Sequence, residues 1–345
     1  MTFSGQMIRN DEKKKMSYIA VIGAGSWGTT LAYLLSKKGF DISLWVYEKD
    51  LAEEMERTGI NKIYLPDVSL PENIKISHQI HEVVDKAQYI LNAVPAQYTR
   101  SVFRESLPSI SSDAIIISAA KGIERRTLIT ISSVLKELSG RKVAVLSGPS
   151  FAKEVMKNLP TAVTLATEDK DTGLILQEIF NTNNFRVYTH DDILGAEIGG
   201  SLKNVVAIAS GISDGLGLGL NARASLITRG LAEMTRLGVA MGAKERTFSG
   251  LSGLGDLVLT CTGHLSRNYT LGTKLGQGMR LKDILDQTMS VVEGVATAES
   301  AFELSKKYHI EMPIVEQVYK IIYEGKDPAL AVNDLMSRPL KTEFY

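Results

Sequence analysis

The sequence predicts an α/β protein in which an N-terminal Rossmann-like doubly wound parallel sheet is followed by an all-helical C-terminal domain. Three observations lead there. Apolar runs of strand length alternate with segments of helical length through the first half of the chain, the last run at 143–147, the pattern of parallel strands with crossover helices between them. The first run opens onto GAGSWG at 23–28, a glycine-rich turn at the head of a helix-patterned segment. Beyond residue 195 the strand pattern disappears, and 197–213, 222–242, 293–309 and 313–324 all carry apolar residues at helical spacing.

In chain order, residues 1–16 (MTFSGQMIRNDEKKKM) are polar, charged and aperiodic, and read as a disordered extension. A buried strand follows at 18–22. Gly23 permits the tight turn after it, Gly25 lets the backbone approach a pyrophosphate, and Gly28 lets the helix pack against the strand with its N-terminus facing phosphate. A second strand, 41–46, runs into Tyr47, Glu48 and Lys49. Glu48 lies 20 residues beyond Gly28, where an acidic side chain commonly takes the ribose 2′-hydroxyl of NAD, whereas Lys49 suits the 2′-phosphate of NADP. The residues leave that choice open.

Further strand runs at 88–94, 114–119 and 143–147 end in VPAQ, SAAKG and SGPSFA. Ligands of doubly wound sheets bind beyond the carboxyl ends of the strands, which directs Lys121 and Ser150 to a binding cleft. No Pro- or Ser-rich linker separates the two halves. The expected division is a dinucleotide-binding Rossmann domain at 17–196 and a helical substrate and dimerisation domain at 197–345.

Composition narrows the function classes. The chain has 345 residues, 44% of them hydrophobic, enough for a core in each of two domains. Basic and acidic residues balance at 39 each, without the clustered excess of cations that nucleic acid requires. Cys261 is the single cysteine, so no internal disulfide forms, and with His264 alone nearby it supplies too few ligands for a metal. There is no apolar run near the ~18 residues needed to cross a bilayer and no hydrophobic leader, which favours a cytoplasmic location.

GGSLKNVVAIASGISDG, at 199–215, poses a question of charge. Lys203 is the only charged side chain between Glu197 and Asp214, among glycine, serine, alanine and β-branched residues. An ammonium in such surroundings bears a large desolvation cost unless it is paired, or unless its stem is buried and its head stays wet. SGLSGLGDLVLTCTGHLSRNYTLG, at 249–272, is dense in glycine yet carries Asp256, Arg267 and Asn268. Ser266 is placed to cap a helix from 267, setting Arg267 and the first free amides at an anion site. A planar guanidinium suits phosphate or carboxylate better than lysine does.

Together, GAGSWGTTLA at 23–32, SAAKGIE at 118–124, SGPSFAKEV at 147–155, GGSLKNVVAIASGISDGLGLGLN at 199–221, SGLGDLVLTCTGHLSRN at 252–268 and VVEGV at 291–295 resemble the bacterial type of NAD(P)-dependent glycerol-3-phosphate dehydrogenase. The resemblance implies reversible reduction of dihydroxyacetone phosphate to sn-glycerol 3-phosphate, a precursor of glycerophospholipids. It makes Lys203 the proton donor and acceptor, with Lys121 and Asp256 beside it. It places Gly148, Ser150, Ser266, Arg267 and Asn268, with Lys121, Lys203 and Asp256, around the substrate. Ser26, Trp27, Lys121, Ala152, Arg267, Val291 and Glu293 would touch the dinucleotide, NAD or NADP, together with the glycines and Tyr47. Tyr47 departs from the family, which often shows arginine or histidine there, and this weakens any case for NADPH.

A homodimer is the expected assembly, because small-residue-rich helices such as 199–211 allow close packing. Two other functions share these features. A β-hydroxyacid dehydrogenase has the same two-domain plan and a catalytic lysine but recognises a carboxylate. A non-catalytic dinucleotide sensor would need neither Lys203 nor Arg267.

Overall fold

The computed structural model describes residues 18–288 and 291–343, so the extension expected at 1–16 lies outside the described residues. The described chain divides into two compact units, one formed by 18–121 and 129–193, the other by 122–128 and 194–343.

The first unit is built on ten strands: β1 (Tyr18–Ile22), β2 (Asp41–Trp45), β3 (Ile60–Asn61), β4 (Leu65–Ser69), β5 (Ile74–Ser77), β6 (Tyr89–Asn92), β7 (Ile115–Ser118), β8 (Val143–Ser147), β9 (Thr161–Ala166) and β10 (Phe185–His190). Eight of them form one sheet in the order β10-β9-β8-β7-β6-β1-β2-β5. From β5 through β8 every pairing is parallel. The order reverses at β1, which pairs with β2 on one side and β6 on the other, and such a switch point is where these sheets bind ligands. Val21, Leu44, Leu91 and Ile117 have no exposed surface, because helices cover both faces of the sheet and its strands read as continuous apolar runs. The helix that follows the glycine turn, α1 (Ser26–Lys37), buries Leu31, Ala32 and Leu35.

The sequence pattern predicts a sheet that is parallel throughout, and at one edge it is not. β9 pairs antiparallel with β8, Leu165 opposite Leu146, and β10 then runs parallel to β9. The helix between β8 and β9, Ala152–Met156, has five residues and rises only about 7 Å. That is too short to recross the sheet, so the chain returns the way it came. A second departure is the separate antiparallel hairpin β3–β4, which the apolar pattern does not announce.

The second unit is helical around α2 (Ile193–Gly215), with α3 (Gly219–Ala240), α4 (Asp256–Thr262), α5 (Arg267–Gly276), α6 (Glu293–Lys307) and α7 (Pro313–Tyr323). A helix apolar all round belongs in the middle of a core, and Leu202, Val205, Val206 and Ile208 of α2 are fully buried. Its glycines set the packing distance. A Cβ at Gly211 would lie 2.1 Å from the Tyr269 carbonyl oxygen, and one at Gly272 of α5 would lie 2.1 Å from that of Ile208. The small residues of α2 are therefore engaged with α5 of the same chain. Among the described residues no helix is long and apolar enough to cross a membrane.

Candidate active site

In the first unit the end of β1 delivers the glycine turn. Gly23 has φ 109° and donates its amide to the Trp45 carbonyl at the end of β2 (3.2 Å), which brings the turn beside Tyr47 and Glu48. A Cβ at Gly28 would fall 1.9 Å from the Gly23 carbonyl oxygen, whereas one at Gly25 would meet nothing within 4 Å. Gly28 thus serves close packing and Gly25 leaves open space. Gly25 is the N-cap of α1, and no side chain caps that helix. Beside it, Trp27 keeps a buried indole N–H with no partner among the described residues. An uncapped helix N-terminus, a glycine in open space and an unspent donor fit a dinucleotide pyrophosphate. Tyr47 is 76% exposed and edge-on to Trp45. Glu48 is the N-cap of helix Lys49–Thr58 without bonding its amides, while the Lys49 ammonium pairs with Glu53 at 3.6 Å.

Lys121 and Ser150 converge on one atom of this unit. The Lys121 ammonium and the Ser150 hydroxyl each donate to the Gly148 carbonyl oxygen at 3.0 Å. Gly148 has φ 133°, and a Cβ there would press on the Val163 Cα at 3.0 Å, so glycine is required. Ala152 opens the short helix Ala152–Met156 immediately after.

In the second unit the isolated lysine finds its partner. Lys203 is 7% exposed, and its ammonium donates to an Asp256 carboxylate oxygen at 2.5 Å and to the Thr260 hydroxyl at 2.8 Å. With its ammonium bonded to two buried side chains, the lysine is paired in the interior and does not extend its head into solvent as a snorkelling lysine does. The backbone explains how the pair forms. Gly199 and Lys203 are four residues apart and share one face of α2, and a Cβ at Gly199 would sit 2.5 Å from the Ser252 carbonyl oxygen. Glycine there admits the Leu251–Gly255 segment, a single π-type turn, and α4 begins directly after it with Asp256. π turns of this kind gather at functional positions.

Ser266 caps α5, its hydroxyl accepting the Tyr269 amide at 3.2 Å, and Arg267 is the first residue of the helix, as its sequence position predicts. The Arg267 guanidinium donates to the Val291 carbonyl at 2.8 Å, joining two residues expected at the dinucleotide. Asn268 is spent differently. Its carboxamide donates to Asn204 and accepts the amide of Gly294, both at 2.9 Å, tying α2, α5 and the start of α6 together and leaving one N–H hydrogen for any ligand. Glu293 is the first residue of α6. Cys261 is buried, desolvation pushing its thiol up to about 12, and His264 stands edge-on to Tyr269.

Three residues at these sites escape the sequence reading. Thr260 was legible in principle, because it lies one turn from Asp256 on the same face of α4. Asn204 adjoins Lys203 but shows its use only through Asn268. Asn61, whose side-chain N–H₂ donates to the Ala24 carbonyl at 2.8 Å, carries no signal in its neighbourhood.

A glycine turn at the switch point of a parallel sheet, with a buried lysine and carboxylate on a following helical unit, is the equipment of a two-domain dehydrogenase that uses a nicotinamide dinucleotide. Comparison with known proteins narrows the class. The chain belongs to the NAD-dependent glycerol-3-phosphate dehydrogenase family, matching the model of that family's N-terminus over residues 18–173 and of its C-terminus over 192–333. It is 54% identical to glycerol-3-phosphate dehydrogenase (NAD(P)+) of Syntrophotalea carbinolica, over 94% of this chain and 99% of that one. The corresponding enzyme of Geobacter sulfurreducens is 51% identical over 95% and 99%. A crystal structure of glycerol-3-phosphate dehydrogenase from Coxiella burnetii superposes with a TM-score of 0.91 at 43% identity, covering 93% of this chain and 99% of that one. A D-mandelate dehydrogenase reaches a TM-score of 0.62 at 13% identity, so the fold alone is shared with enzymes of other substrates.

Proposed function

We propose that the chain reduces dihydroxyacetone phosphate reversibly to sn-glycerol 3-phosphate with NADH or NADPH. The observation that carries the mechanism is the Lys203 ammonium, buried against Asp256 at 2.5 Å and Thr260 at 2.8 Å. Gly23, Gly25, Ser26, Trp27, Gly28, Tyr47, Ala152, Val291 and Glu293, with Lys121 and Arg267, hold the dinucleotide. When bound, it supplies the hydride for the carbonyl carbon.

The chain's own residues supply the rest. Lys203 stabilises the oxyanion that forms on the carbonyl oxygen and gives it a proton, leaving the alcohol and a neutral amine, and in the oxidative direction the amine takes the hydroxyl proton back. Asp256 and Thr260 hold the lysine at one position, which avoids the cost of reorganising it during reaction. Lys121 and Ser150, fixed on the Gly148 carbonyl, orient the substrate in concert with Ser266 and the one remaining Asn268 N–H. Arg267 is a permanent cation for the phosphate at the head of α5, where helix amides add to its field. We also place the protein in the cytoplasm as a homodimer that feeds glycerophospholipid synthesis.

The test follows nicotinamide absorbance with NADH and NADPH in parallel, offering dihydroxyacetone phosphate beside a small 3-oxo acid. Oxidation with the phosphorylated ketone and not the acid is expected. The opposite preference refutes the reading. Lys203→Ala should keep dinucleotide binding and lose turnover by at least about a thousandfold.

A further inference from the structure

The hairpin β3–β4 has no counterpart in the sheet, and its most buried polar side chain is turned toward the glycine turn. Asn61 has no exposed surface. Its carboxamide nitrogen donates to the Ala24 carbonyl at 2.8 Å and to the Thr29 hydroxyl at 2.9 Å, and its oxygen accepts the Tyr64 amide at 3.2 Å. The Thr29 hydroxyl in turn donates to the same Ala24 carbonyl at 3.1 Å. These partners fix which end of the carboxamide points where, since an oxygen cannot face the Ala24 carbonyl and a nitrogen cannot face the Tyr64 amide. A further link, from the Ser26 hydroxyl to the Tyr64 carbonyl at 3.3 Å, ties the hairpin to the first residue of α1.

The peptide joining Ala24 to Gly25 is planar and trans, so its carbonyl and its N–H point in opposite directions. Two donors hold the carbonyl on the hairpin side. The Gly25 N–H is consequently held on the other side, and Gly25 is the N-cap of a helix that no side chain caps. Were the peptide to rotate, its oxygen would face an anion where its amide should be.

We propose that Asn61 is a positioning residue of the dinucleotide site, fixing the Ala24–Gly25 peptide from the hairpin so that the turn presents an N–H to the pyrophosphate. The inference rests on the dinucleotide reading given above. It assigns to β3–β4 a part in cofactor affinity rather than in the sheet. Thr29 is the relay, and any residue retaining its hydroxyl serves.

The experiment is calorimetric titration of the full chain with ADP-ribose, which carries the pyrophosphate and no reacting ring, so that binding is read apart from turnover. Asn61→Ala and Thr29→Val should weaken ADP-ribose by about ten- to hundredfold, and Thr29→Ser by less than about threefold. In steady-state kinetics the loss for Asn61→Ala should appear in KM for the dinucleotide, with a much smaller change in kcat at saturation and in KM for dihydroxyacetone phosphate. If Asn61→Ala does not fold, the contrast between Thr29→Val and Thr29→Ser decides alone. Lower melting temperatures with ADP-ribose affinity within about twofold of wild type would mean that Asn61 merely docks the hairpin, and would overturn the proposal. Wild-type protein that ignores ADP-ribose defeats the dinucleotide reading itself, and this inference with it.

Discussion

Asp256 and Glu233 are both 1% exposed in the helical unit, and they meet opposite surroundings. Asp256 faces a side-chain ammonium at 2.5 Å. Glu233, on α3, faces main chain: it accepts the amides of Ile314 at 2.8 Å and Val315 at 3.2 Å, at the first turn of α7. A helix N-terminus suits a carboxylate and pins one helix to another, but its amides have no proton to trade. Lysine does. Burial of a carboxylate therefore does not mark chemistry; the character of its partner does.

The largest effect should come from separating the charge pair's two contributions. Removing Lys203 alone strands Asp256 without its cation and should cost about 3–5 kcal/mol of stability in denaturant unfolding. Lys203→Met combined with Asp256→Leu removes both charges and should recover most of that loss, since well-packed apolar replacements of buried pairs are often neutral. Turnover should stay at least about a thousandfold down in the double variant. A pair kept for packing alone would instead see activity return along with stability.

The next effect distinguishes two glycines of one helix. Gly199→Val sets a side chain where even a Cβ would stand 2.5 Å from the Ser252 carbonyl oxygen, so Leu251–Gly255 must shift and carry Asp256 with it. We expect kcat to fall by about ten- to hundredfold, because small misplacements of a proton donor are expensive. Gly211→Ala, three turns further along, collides with the Tyr269 carbonyl oxygen at 2.1 Å and should act chiefly on stability, costing about 1–3 kcal/mol with a smaller loss of kcat. Equal losses of kcat would mean that α2 transmits strain as a rigid rod and that Gly199 holds no special place.

These contrasts also show what the sequence makes legible. The glycine turn, the strand runs of the parallel core and the long apolar helices follow from local periodicity, and the structure has them at 18–22, 143–147 and 193–215. Lys203 stands out because its neighbours are apolar, a property of one segment. Its partnership with Asp256, 53 residues away, follows from family resemblance and not from the chain around it, since no local pattern encodes so distant a contact. The antiparallel turn at β9 depended on a connection too short to cross over, a matter of length rather than hydropathy. Asn61 and Glu233 were silent because each is a polar residue used by main chain remote in sequence, and nothing beside them in the chain says so.

The smallest effect on turnover, and a distinctive one in pH, belongs to Glu233. Burial pushes its carboxyl up to about 7 from an ordinary 4.5, against the opposing pull of the two amides and of Arg236 and Arg338. Folding thus raises its proton affinity. The stability this contributes is complete below pH 4.5, declines as pH rises and is gone above pH 7, a loss of order 3 kcal/mol from this group. Glu233→Gln cannot ionise: its oxygen can keep the Ile314 bond while the longer Val315 contact weakens, and its unfolding free energy should vary much less over the same range. At pH 8 the variant should match or exceed wild type in stability, with kcat changed by less than about twofold, since the hydrogen-bond partners of Glu233 are the Ile314 and Val315 amides and not the residues assigned to the substrate. Denaturant unfolding of both proteins from pH 5 to pH 8 provides the comparison. Parallel curves would show that the buried carboxylate stays charged throughout and that the helix amides outweigh its desolvation.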